Sequence, residues 1–129
     1  AGEDEAPRAP GMKYTHYAPQ GQLTIVQGAS ADQVNEWIRE ALLLARGRGE
    51  RTGVLTVEEY KQLFDADLVV ACGSLHRPAT IAAGLYDALR AFDEAEISYI
   101  LTSAMAREGI GAAIMNRLTK AAGNQVISI

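Results

Sequence analysis

An α/β domain of about five mostly parallel strands, with helices on both faces, is what this sequence predicts. Two observations carry the prediction. Short apolar runs rich in β-branched residues alternate with longer stretches of helical periodicity, and glycines or capping residues punctuate the junctions. Strict alternation demands crossover connections, which lay parallel strands between two helical layers. The class is therefore a three-layer, Rossmann-like or flavodoxin-like domain. Alternation says nothing about the order of the strands within the sheet.

Each element has its own local reason. Leu23-Thr24-Ile25-Val26 is a short β-rich run closed by Gly28. Ser30-Ala31-Asp32-Gln33 reads as a capping box that opens a helix. Val34, Trp37, Ile38, Ala41, Leu42 and Ala45 fall on one stripe of that helix, and Gly47 and Gly49 end it. Val54-Leu55-Thr56 is a second strand. Thr56-Val57-Glu58-Glu59 repeats the capping-box pattern and predicts a short helix to about Phe64. Leu68-Val69-Val70-Ala71-Cys72 is apolar on both faces, the pattern of a central parallel strand covered by helices. Gly73 to Arg77 is a loop, and Pro78 suits a first helical position. Ile81, Leu85, Ala88, Leu89 and Phe92 form the next stripe. Ile97 to Leu101 is the fourth strand and Thr102 to Gly109 a longer loop. Ile114, Leu118 and Ala121 mark a last helix ended by Gly123, and Gln125 to Ile129 is the fifth strand.

Ahead of this domain lie two different segments. Residues 1–9 are acidic, small and proline-containing, and read as a disordered tail. Residues 10–22 form a linker motif built on Pro10-Gly11-Met12-Lys13-Tyr14-Thr15-His16-Tyr17-Ala18-Pro19, and residues 23–129 the α/β domain. A free spacer is normally small and chemically plain. This one carries a cation, a titratable histidine and two amphipathic rings between stiff prolines. Either it docks onto another body, or its tyrosines tack the tail onto this domain. Composition leaves both readings open.

Composition excludes several function classes. A net charge of −4 argues against direct nucleic-acid binding, which needs clustered Lys and Arg. No run approaches the ~20 apolar residues of a membrane span, and no basic-then-apolar secretory signal is present. A single cysteine, Cys72, leaves no internal disulfide and fits a reducing, cytoplasmic setting.

Ligands of such a fold bind beyond the carboxyl ends of the strands. Ser74, Arg77, Ser103 and Arg107 lie in those loops near helix N-termini, and together suggest an anion crevice. Helix caps and solvated arginines are the commoner reading of such residues. Gly47-Arg48-Gly49 follows a helix rather than a strand. Gly109-Ile110-Gly111 follows the fourth strand and has Ile114 where a third glycine would stand. Neither supports a dinucleotide site. A phosphoacceptor receiver would need acidic residues where Val26-Gln27 and Ala71-Cys72 stand. Cys72, with no base nearby, reads as a small apolar strand residue, and the lone His16 and His76 make no metal set.

Specific stretches resemble a known family. The Pro10–Pro19 motif running into Leu23-Thr24-Ile25-Val26 is similar to the linker and C-terminal domain of the long form of L-threonylcarbamoyladenylate synthase, a YrdC-like family of tRNA threonylcarbamoyladenosine biosynthesis. Gly84-Leu85-Tyr86-Asp87-Ala88-Leu89-Arg90-Ala91-Phe92-Asp93 resembles that domain's third helix. Gly109-Ile110-Gly111-Ala112-Ala113-Ile114-Met115-Asn116-Arg117-Leu118 resembles its last. The resemblance implies an enzyme that converts L-threonine, bicarbonate and ATP to threonylcarbamoyl-AMP and pyrophosphate. It also implies that catalysis, ATP and Mg²⁺ belong to an upstream YrdC-like catalytic domain, the expected partner of this chain. This chain then holds no catalytic residue or cofactor of its own, and is inactive alone. It would be an accessory, regulatory domain whose linker residues Lys13, Tyr14, His16 and Tyr17 form a lid over the catalytic cleft. The alternatives are an independent nucleotide- or anion-sensing domain, and a purely structural interaction module.

Overall fold

The computed structural model describes residues 17–129. The strands are β1 (Gln22–Gln27), β2 (Thr52–Thr56), β3 (Leu68–Ala71), β4 (Tyr99–Ser103) and β5 (Val126–Ser128). The helices are α1 (Ala31–Gly47), α2 (Pro78–Glu94) and α3 (Ile110–Ala121). All the strand pairings are parallel, in the order β3-β2-β4-β1-β5. The expected three-layer α/β class is what the chain adopts.

Strand alternation divides the core between two faces. Val26, Val54 and Leu101 point to the face covered by α1 through Val34, Ile38 and Leu42. Leu23, Ile25, Leu55 and Ile100 point to the opposite face, where α2 and α3 supply Leu85, Leu89, Phe92, Ile114 and Leu118. Burial of these large side chains, Phe92 fully, is the main force holding the layers together. Space at the layer boundary is tight. A Cβ at Gly53 in β2 would lie 2.7 Å from Phe92 Cε1, so α2 packs against bare backbone there.

Three local expectations are corrected. The Thr56–Glu59 capping box opens no α-helix. Residues 58–60 form a turn, and only a single 3-10 turn, Lys61–Leu63, follows. Thr56 is spent as the last residue of β2, where its carbonyl accepts the Cys72 N–H at 2.8 Å. Glu59, which would have reached back to Thr56, instead accepts from Ser74 Oγ and from the Leu75 N–H at 3.0 Å. Next, β3 is an edge strand, not a central one. Its residues are half-buried because each face is covered, Leu68 and Val70 by one core and Val69 by the other, although only β2 pairs with it. Finally, Ile97 closes the turn that follows α2 and is not part of β4. Its N–H donates to the Phe92 carbonyl at 2.9 Å, after Glu96 turns the chain at φ 56°, so β4 starts later and runs through Thr102 and Ser103.

Candidate functional site

The order of the strands places the site. β1 and β4 are neighbours, yet the helices that follow them, α1 and α3, lie on opposite faces. Chains leaving adjacent carboxyl ends in opposite directions open a crevice, the place where sheets of this type bind ligands. A cavity of about 560 Å³ occupies it. Gln27 to Ala31 at the end of β1 and Thr102 to Ala106 at the end of β4 form two of its walls. Thr56 and Val57 at the end of β2 and Cys72 after β3 extend it towards the sheet edge.

Local sequence builds each wall. Ser30 caps α1, its Oγ accepting the Gln33 N–H at 3.2 Å, as the capping box predicts. Gly28 makes the turn into α1. A Cβ there would meet Ile129 Cγ1 at 2.7 Å, where the chain's last residue continues the ladder with its N–H on the Gln27 carbonyl. Thr102 donates its hydroxyl to the Leu55 carbonyl at 2.8 Å. The Cys72 thiol donates to the Ile81 carbonyl at 3.3 Å, and burial pushes its pKa up to about 11. At neutral pH it is a protonated, unreactive thiol. Among the described residues no Lys, Arg, His, Asp or Glu lines the cavity.

The candidate anion residues are scattered relative to this cavity. Ser103 lines it; Ser74, Arg77 and Arg107 do not. Ser74 Oγ donates to the Glu59 carboxylate and accepts the His76 N–H at 3.1 Å. Those bonds to Ser74 and Leu75 hold the Glu59 carboxyl well below its usual range, at about 2. A carboxylate fixed at that loop works against an anion beside Ser74. Arg77 is exposed at the start of α2 and makes no side-chain cap, and Arg107 is exposed before α3. Among the described residues no group of three or more His, Cys, Asp or Glu gathers, so none fits a metal such as Mg²⁺. No described helix is long and apolar enough to cross a membrane.

What the sequence did not single out is Asn35, which lines the cavity while 5% exposed. The signal was available: it stands three residues before Ile38 and seven before Leu42, at the border of the α1 stripe.

Of the linker residues, Lys13, Tyr14 and His16 lie outside the described residues. Tyr17 is described, and it is tied to its own domain. Its hydroxyl donates to Asp93 Oδ2 on α2, and its ring meets Tyr86 edge-on, with centroids 5.2 Å apart at 74°. The Gln20 N–H donates to the other Asp93 oxygen at 2.8 Å. Burial and then the Asp93 hydrogen bond push the Tyr17 pKa up to about 12. Gly21 passes so close to α2's exit that a Cβ would lie 2.1 Å from the Ile97 carbonyl oxygen. Thus the end of the linker is stapled to α2, on the face opposite α1.

Comparison with known proteins now decides the family. The model of the threonylcarbamoyl-AMP synthase C-terminal domain matches residues 1–123. The chain belongs to that family. The threonylcarbamoyl-AMP synthase of Bacillus subtilis (strain 168) is 47% identical over 125 residues, spanning 97% of this chain and 35% of the relative. That of Pyrococcus abyssi (strain GE5 / Orsay) is 37% identical over 122 residues, spanning 95% of this chain and 34% of the relative. This C-terminal domain thus spans about a third of the length of the curated relatives it matches. Among solved structures, P. abyssi Sua5 complexed with L-threonine superposes with a TM-score of 0.76 at 35% identity, over 97% of this chain and 35% of that one. An isolated C-terminal Sua5 domain from Pyrococcus horikoshii gives 0.68 at 28% identity, over 87% of this chain and all of that one. A domain of this kind therefore folds and crystallises without the rest of its protein.

Proposed function

We propose that this chain is the accessory domain and lid-bearing linker of a threonylcarbamoyl-AMP synthase acting in tRNA threonylcarbamoyladenosine formation in the cytoplasm. The whole protein converts L-threonine, bicarbonate and ATP to threonylcarbamoyl-AMP, pyrophosphate and water. Its YrdC-like catalytic domain lies upstream and is the partner of this chain. ATP and Mg²⁺ act there, and the isolated chain is inactive.

One observation supports this reading most: the staple of Tyr17 and Gln20 on Asp93. It fixes where the linker leaves the domain. Lys13, Tyr14 and His16 lie one to four residues upstream of Tyr17. An extended chain gains at most ~3.3–3.6 Å per residue, so the Cα atoms of these residues can lie no more than roughly 15 Å from that of Tyr17. They are short-tethered groups on a rigid base. In this reading Tyr17 is the hinge pin, and the other three residues cover the reacting carbamate and nucleotide. Excluding water protects a labile mixed anhydride from hydrolysis.

The test uses the full-length protein with Tyr14→Ala, His16→Ala and Tyr17→Phe. The two lid variants should lower threonylcarbamoyl-AMP formed per ATP consumed by on the order of tenfold to a hundredfold. Tyr17→Phe should lower it less, because only the hinge loosens. Unchanged yield and unchanged ATP use in Tyr14→Ala and His16→Ala together would discard the lid.

A further inference from the structure

The cavity at the carboxyl edge of the sheet has a chemical character that the proposed function does not use. Its floor is apolar, formed by Leu55, Ile81, Leu85 and Ile114. At one end stands the first turn of α1, a helix of 17 residues. The N–H groups of Gln33 and Val34 are taken by Ser30, whereas those of Ala31 and Asp32 make no hydrogen bond among the described residues.

One turn further on is Asn35. Its Nδ2 is buried and has no hydrogen-bond partner, the one such side-chain atom among the described residues. A buried amide donor without an acceptor is costly, and native proteins keep few of them. The residue Asn35 borders a cavity of about 560 Å³, within the ~300–1,000 Å³ typical of small-molecule sites. Asn35, Ala31 at the start of α1 and the apolar floor line one space.

We infer that this cavity takes a small organic molecule with an apolar body and one acceptor head, a carboxylate or a carbonyl, received by Asn35 Nδ2 and the first N–H groups of α1. The walls also say what is refused. A nucleoside di- or triphosphate brings several negative charges, and among the described residues the lining holds no cationic side chain to meet them. A helix end offers only about half a charge. A cationic head meets the same positive helix end and is repelled. The inference stands apart from the lid, because the cavity residues take no part in the linker staple.

Nuclear magnetic resonance titration of the nitrogen-labelled chain tests it, with isocaproate, isocaproamide, isoamylamine and AMP as probes. Isocaproate, isocaproamide or both should move the Asn35 side-chain amide and the Ala31 and Asp32 N–H signals saturably, with Kd of about 1 mM for ligands of this size. The carboxylate and the neutral amide separate the two possible heads. Isoamylamine and AMP should leave those signals in place. Asn35→Leu, which keeps the bulk and removes the donor, should weaken binding roughly tenfold or more. If that variant loses the native spectrum, Asn35→Asp replaces the donor with an acceptor and should abolish isocaproate binding. The inference is overturned if neither acceptor probe gives a saturable shift at these residues. Equal binding by a folded Asn35 variant, or tighter binding of the amine or of AMP at the same signals, would also overturn it.

Discussion

At Tyr17, a single phenol decides how the linker joins the domain. Tyr17→Phe removes a half-exposed hydrogen bond to a carboxylate and should cost about 1 kcal/mol, read by urea denaturation. The bond also has a pH signature. Because the Tyr17 pKa rises from 10.0 to about 12 on folding, its contribution is complete below pH 10 and is lost as pH climbs towards 12. Wild type should therefore lose stability relative to Tyr17→Phe across that window, and parallel profiles would disprove the coupling. Glu59 behaves in the opposite sense. Its pKa falls from 4.5 to about 2, so its contribution is present above pH 4.5 and vanishes as pH drops to 2. The thermal midpoints of wild type and Glu59→Gln should converge through that range, and a constant gap would count against the Ser74–Leu75 clamp. The sequence offered tyrosine tacking of the linker onto the domain as one of two readings, but it named no partner for Tyr17 or for Glu59. Tyr17 and Asp93 are 76 residues apart, and Glu59 and Ser74 are 15 apart. No local pattern links such pairs.

Among the secondary-structure elements, local signals succeeded where only local bonds were at stake. The Ser30 cap formed as its capping box predicts, and Ser30→Ala should destabilise the chain by about 1 kcal/mol in thermal or denaturant unfolding. The same pattern at Thr56–Glu59 failed because both of its ends had stronger claims elsewhere: Thr56 in the β2–β3 ladder, Glu59 in the next loop. The two faces of β3 were legible as apolar, and its place at the edge was not, because hydropathy reports covered faces and not strand neighbours. Packing at α3 makes a sharper prediction. A Cβ at Gly111 would lie 2.0 Å from the Ala106 carbonyl oxygen, so backbone must shift to admit one. Gly111→Ala should cost roughly 2–4 kcal/mol and perturb the 104–109 loop, measured by denaturation and amide exchange. A near-neutral Gly111→Ala would mean that α3 has room to slide.

For the whole molecule, the domain carries the Tyr17 staple on α2 and a cavity at the carboxyl edge of its sheet. The net charge of −4 is the opposite of the clustered positive charge that a phosphate backbone attracts. The proposed division of labour predicts that the chain alone releases no pyrophosphate from ATP with L-threonine and bicarbonate. A pyrophosphate-release assay showing turnover by the purified chain would end that reading.

Alternation of strand and helix, the Ser30 cap, the start of α2 at Pro78 and the likeness to a tRNA-modification family were all determined by the sequence itself. They depend on residues close together along the chain, whose propensities act before any tertiary contact forms. The strand order, the edge position of β3, the Tyr17–Asp93 staple and the cavity beside Asn35 were decided only in the tertiary structure. Each depends on which distant segments share space, and that is chosen by burying both faces of the sheet at once, a competition that no single segment encodes.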